Sequence, residues 1–140
     1  RLDEALVLKR EVLTKRYLSG RDNEETLLAA SNLAAGYVKK KKFDEARAVL
    51  REYLPAAQRK LGPDNDVTLI FRRNEAMALY QDAAATRDDM VRAEAILVDV
   101  FKRRRRVFGA QHPRTKDDQA WLNDVRARIF MSGTASGYQT

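Results

Sequence analysis

Apolar residues recur along this chain at the i, i+3, i+4, i+7 spacing that lays one stripe down an α-helix, in successive blocks separated by short polar stretches. Leu27, Ala30, Leu33, Ala34 and Tyr37 share one face; Ala46, Val49, Leu50, Tyr53 and Leu54 share the next; Ala93, Ile96, Leu97, Val100 and Phe101 repeat that second pattern. No segment alternates with period two for long enough to propose a strand. The pattern predicts helices over Leu2 to Tyr17, Glu24 to Lys40, Phe43 to Leu61, Val67 to Ala84, Asp89 to Phe108 and Arg114 to Phe130. Six helices of roughly 25 to 30 Å, joined by short turns, make an all-α chain of antiparallel pairs. Residues 131–140, with two Gly, two Ser and two Thr, read as a flexible tail behind a repeat domain at 1–130.

The polar breaks themselves repeat. Gly20-Arg21-Asp22-Asn23-Glu24-Glu25-Thr26-Leu27 returns as Gly62-Pro63-Asp64-Asn65-Asp66-Val67-Thr68-Leu69, displaced by 42, and more loosely as Gly109 to Thr115. A second string, Leu2-Asp3-Glu4-Ala5, returns as Phe43-Asp44-Glu45-Ala46 and Met90-Val91-Arg92-Ala93, at offsets of 41 and 47. A recurring unit of two amphipathic helices is the signature of a stack in which each unit buries its apolar face against its neighbours. The breaks carry cap chemistry. Gly20, Gly62 and Gly109 sit where helices end and are expected in the left-handed backbone of a C-terminal cap. Asp22/Asn23 and Asp64/Asn65 offer side-chain oxygens to the unpaired N–H groups of the next helix, and Pro113 suits a first helical turn. Pro55 removes the hydrogen bond to the Arg51 carbonyl, so a bend is expected there.

At these residues the chain resembles the tetratricopeptide repeat family: alternating helices with small residues at Ala34 and Ala46, a Tyr at Tyr37 and an aromatic at Phe43. The period near 42, the Gly-x-x-His-Pro-x-Thr loop at Gly109 to Thr115 and the string Ser31-Asn32-Leu33-Ala34 resemble the longer-repeat subtype of the kinesin light chain. The resemblance implies a solenoid belonging to a longer array. It also implies a non-enzymatic protein–protein interaction or scaffold module that takes a partner segment in the concave groove of its first helices. Carried over position by position, it places Leu28, Ser31, Ala35, Val38 and Lys39 on that face in one repeat, and Ile70, Arg73, Met77 and Tyr80 in the next. In the last repeat it places Asp117, Ala120, Asp124 and Arg128 there. Asn32 and Asn74 sit beside them, where a carboxamide can serve a bound peptide backbone or a neighbouring helix. Trp121 is an aromatic anchor on the same face or a core residue of the last helix. Two positions depart from the family pattern: Glu75 stands where it has a buried Leu, and Trp121 where it has Asn. Either the helix rotates or Glu75 pairs with an arginine such as Arg72.

Composition narrows the chemistry. With 27 Lys+Arg against 20 Asp+Glu, the net charge of +7 favours an acidic protein or peptide partner, through association rate more than affinity. The runs Lys39 to Lys42 and Lys102 to Arg106 raise an alternative, contact with nucleic acid or an anionic surface. Against it, four consecutive helical residues point in four directions, and cations at a helix C-terminus complement its dipole. A structural subunit or linker inside a larger assembly is the third reading, because the chain opens on a second-type helix and closes on a first-type one. The absence of Cys removes disulfides, thiol catalysis and cysteine metal sites. The single His112 has no ligand partner at suitable spacing and is assigned to capping or packing its turn. The carboxylate pairs Glu24-Glu25, Asp64/Asp66, Asp88-Asp89 and Asp117-Asp118 all fall at helix starts, where they complement the dipole. No metal, cofactor or catalytic residue is therefore expected. No apolar run approaches the roughly 18 residues of a membrane span, and an intracellular, cytoplasmic protein is expected.

Overall fold

The computed structural model describes residues 6–7, 9–14 and 23–137. Helical residues 6–7 and 9–14 form α1, followed by α2 (Glu24–Lys39), α3 (Phe43–Leu61), α4 (Asp66–Tyr80), α5 (Arg87–Phe108) and α6 (Pro113–Gly137). The fold is an all-α, tetratricopeptide-like stack, with no strand among the described residues. From α2 to α6, helices adjacent in sequence pack on one another, and α2 also packs directly on α4. The first-type helices α2, α4 and α6 make one face and the second-type helices α3 and α5 the other.

The stripes read from sequence form the core. Leu27, Ala30, Leu33, Ala34 and Tyr37 of α2 are buried, as are Ala46, Val49, Leu50, Tyr53, Leu54 and Ala57 of α3. Fully burying one such Leu contributes roughly 1.5 to 3 kcal/mol. Two stripes carry a buried charge. In α5 the buried positions Ala93, Leu97 and Val100 continue to Arg104, and in α6 Leu122 and Val125 share their face with Thr115 and Asp118.

Most boundaries follow local chemistry. Asn23 accepts a hydrogen bond from the Glu25 N–H at 2.7 Å and Asn65 from the Val67 N–H at 2.9 Å, which caps α2 and α4 as expected. Pro113 opens α6, and His112 Nδ1 accepts from the Arg114 N–H at 3.1 Å while its ring lies 5.1 Å from that of Phe108. Gly20 lies outside the described residues. Gly62 (φ 87°, ψ 167°) and Gly109 (φ 91°, ψ 159°) have the expected positive φ, but their extended ψ puts them in a region essentially reserved for glycine rather than in the left-handed helical one. The left-handed cap falls instead on Lys41, at φ 63°. There the Lys42 N–H reaches the Tyr37 carbonyl at 2.8 Å and the Lys41 N–H reaches that of Val38 at 2.9 Å, the paired bonds of a Schellman cap.

Three ends differ from expectation. α4 stops at Tyr80 rather than Ala84, because Asp82 turns the chain by accepting from the Ala84 N–H at 3.0 Å, with Arg47 bridging Asp82 and the Ala78 carbonyl. α5 starts at Arg87 rather than Asp89, because Thr86 and Asp89 form a reciprocal capping box. α6 runs past Phe130 to Gly137, so residues 131–137 are helical. Arg87 supports that extension by donating to the Ile129 carbonyl and the Ser132 hydroxyl, both at 3.1 Å. α3 continues through Pro55 without interruption. No helix among the described residues is long and apolar enough to cross a membrane.

Candidate functional site

Three first-type helices side by side leave a shallow trough, and here it deepens into a cleft of about 690 Å³. Ala35, Val38, Lys39 and Lys41 line it from α2 and the turn that follows; Arg73, Asn74, Met77 and Gln81 line it from α4; Asp117, Ala120, Trp121 and Asp124 line it from α6. Polar ties hold the far wall in place. The Tyr80 hydroxyl donates to Asp124 Oδ2 at 2.9 Å, Arg128 covers the Tyr80 ring at 5.1 Å, and Arg73 lies 3.5 Å from Asp118. Burial, together with the Asp124 contact, pushes the Tyr80 hydroxyl far above its ordinary pKa, so it stays protonated and able to donate to Asp124.

Of the residues expected on this face, Ala35, Val38, Lys39, Arg73, Asn74, Met77, Asp117, Ala120, Trp121 and Asp124 line the cleft. Leu28, Ser31, Asn32, Ile70, Tyr80 and Arg128 lie outside its lining. Ser31 is buried and its hydroxyl donates to the Leu28 carbonyl of its own helix at 2.7 Å; Tyr80 is buried beneath Arg128. Asn74 Nδ2 donates to the Ile70 carbonyl at 2.9 Å, a bond within its own helix rather than to a neighbour. Asn32 is exposed at the equivalent position, outside the cleft. Trp121 lines the cleft and also packs on the core. Lys41 and Gln81 are lining residues the sequence reading missed. The signal for Gln81 was available, since it stands 42 residues after Lys39.

The second basic run is not a solvated patch. Arg104 is 0% exposed and pairs with Asp118, also 0% exposed, and with Asp66. Arg103 pairs with Asp99 and Asp64 at 2.9 Å each, Arg106 with Asp64 at 3.0 Å, and Arg105 covers the Phe101 ring. Arg114 also pairs with Asp66. Three aspartates assigned to helix dipoles, Asp64, Asp66 and Asp118, are thus ion-pair partners. Hydrogen bonding from Arg103 holds Asp64 below the usual carboxylate range. Burial pushes Asp118 above it, against the opposing pull of Arg104 and Arg73. Arg104 Nη2, Thr115 Oγ1 and Asp118 Oδ1 have no hydrogen-bond partner. The reading of a nucleic-acid or anionic-surface contact is left with Lys39 to Lys42.

A second cleft, of about 550 Å³, opens on the other face among Leu50, Leu54, Leu79, Arg72 and Glu75. Its arginines are largely committed: Arg47 to Asp44 and Asp82 at 2.9 Å, and Arg72 to Asp99 rather than to Glu75. Burial pushes Glu75 upward, offset by the fields of Arg72 and Arg92. Among the described residues no group of three or more His, Cys, Asp or Glu is arranged to hold a metal ion.

A tetratricopeptide repeat family model matches residues 26–66 and 87–114 and supports a tetratricopeptide repeat protein. The matched stretches flank α4, the helix that carries Glu75. No curated protein matches the chain.

Proposed function

Taking the tetratricopeptide repeat as premise, we propose that this chain is a non-enzymatic protein–protein interaction module that takes a partner segment in the cleft across α2, α4 and α6. The observation that carries the reading is the cleft's make-up: an apolar centre at Met77 and Trp121, bordered by Lys39, Lys41, Arg73, Asp117 and Asp124. An apolar anchor site ringed by polar groups is the usual anatomy of a binding hot spot. Repeats of this family generally act by binding other proteins, and the net charge of +7 favours encounter with an acidic partner. The displacement of 42 between the two loops and the Gly109 to Thr115 string favour the kinesin-light-chain-like subtype.

Ala120 tests the proposal, because it is exposed and lines the cleft. Ala120→Arg fills the space without touching the core. Pull-downs with the unmodified chain and with this variant should differ by the loss of specific partners, while circular dichroism stays unchanged. Partners retained in full by a folded Ala120→Arg chain would place the docking surface elsewhere. A second reading, a structural subunit in a larger assembly, is favoured by Phe130 and Met131, which are 74% and 68% exposed near the end of α6.

A further inference from the structure

The charges of the cleft are ordered across it. At the α2 side stand Lys39 and Lys41, both exposed, and neither forms an ion pair with a described residue. The Schellman bonds fix the Lys41 backbone, so its ammonium group projects from a rigid turn. On the α4 floor, Arg73 is committed to buried Asp118, which leaves Met77 as the apolar contact. At the α6 side, Asp124 accepts from Tyr80 and faces Arg128 at 3.5 Å, whereas Asp117 is exposed and unpaired among the described residues. The available groups therefore run from cationic through apolar to anionic.

Resting on the docking role proposed above, we infer that the cleft selects a segment of mixed charge. An acidic side chain lies over Lys39 and Lys41, an apolar one over Met77 and Trp121, and a basic one at Asp117. Packed helix axes lie about 8–10 Å apart, as for α2 on α4, and α6 is joined to α4 through longer side chains, so the path from α2 to α6 is at least about 20 Å. An extended chain advancing about 3.3 Å per residue places the acidic and basic residues at least about six positions apart. A uniformly acidic segment brings a carboxylate against Asp117 and Asp124, and a uniformly basic one brings an ammonium group against Lys39 and Lys41. Either mismatch sets like charges together.

Trp121 is the only Trp in the chain and lines the cleft, so its fluorescence reports occupancy directly. The probes are synthetic peptides with blocked termini and a Leu-rich centre. Two carry Glu and Lys about six residues apart in the two possible orders, one carries Glu at both positions, and one carries Lys at both. At physiological ionic strength, one mixed peptide should bind about fivefold tighter than either single-sign peptide, the scale of one well-placed exposed ion pair. Lys39→Glu with Lys41→Glu should transfer the preference to the double-Lys peptide, and Ala120→Arg should abolish every response. A double-Glu peptide that binds as tightly as the mixed ones, and is still lost in Ala120→Arg, overturns the charge order but leaves the docking role standing. No Trp121 response to any peptide, or responses that survive Ala120→Arg in a folded chain, overturns both.

Discussion

Where α3 meets α4, two buried positions are Ala57 and Phe71, and the Thr68 hydroxyl closes the seam by donating to the Ala57 carbonyl at 3.2 Å. Displaced by 47 residues, where α5 meets α6, the same positions hold Arg104 and Asp118, and the corresponding Thr115 hydroxyl has no partner. One register of the repeat thus accommodates an apolar seam and an ionic one. Burying a guanidinium and a carboxylate costs several kcal/mol of hydration per ion, and their attraction only roughly offsets it. The ionic seam therefore joins α6 to the stack specifically, not more strongly. Arg104 Nη2, without a hydrogen bond, and Asp118 Oδ1, which has only the 3.5 Å ion pair to Arg73, mark where the compensation is incomplete.

The comparison breaks most visibly at Arg104. Arg104→Ala leaves Asp118 buried without its main partner and should destabilise the chain by about 3–5 kcal/mol in urea denaturation. Adding Asp118→Phe rebuilds the α3/α4 chemistry in the second seam. The double variant should recover most of that loss, within about 1–2 kcal/mol of the original chain. A double variant no better than the single one would show that the two seams are not equivalent.

Glu75 sharpens the comparison one helix away, because Leu33 and Leu122 occupy its position in the other repeats and are buried. Its pKa is raised by burial above the ordinary carboxylate range, so the folded chain holds the proton more tightly than the unfolded one. The associated stability is complete below the unfolded pKa and is lost as pH rises through the folded one. Glu75→Leu should add about 1–2 kcal/mol at neutral pH. The gain should shrink as the pH falls toward the unfolded value, measured by thermal melts across that range. A gain independent of pH would assign the effect to packing alone. The smallest effect belongs to Lys41, an L-residue held at φ 63°. Lys41→Gly should stabilise the fold by about 0.5–1 kcal/mol in the same melts while weakening the mixed-charge ligand whose acidic side chain lies over Lys41.

These contrasts also mark how far the sequence could be read. The helices, the Asn caps and the Pro113 start were legible because their chemistry is local. The ends of α4 and α6 were not, since they depend on Arg47 reaching Asp82 and on Arg87 reaching Ile129, 35 and 42 residues away in the chain. Arg104 was hidden inside a block of arginines, where composition suggests a solvated patch. The spacing of Ala93, Leu97, Val100 and Arg104 nevertheless puts it on the buried stripe, as does its register with Ala57. The cleft was found by face but blurred in detail. The carried-over pattern missed how hydroxyls such as those of Ser31 and Tyr80 satisfy themselves within the fold.

Among the described side chains of α6, Thr115, Asp118, Leu122 and Val125 are buried, and two of these are polar. In a stack where each helix is held only by its neighbours, such a helix should open as a cooperative unit of its own, at lower free energy than α3 and α4. Its departure removes one wall of the cleft while α2 to α5 stay folded. Amide exchange should accordingly be fastest along α6, and on warming the chain should lose its ligand before it loses most of its helix.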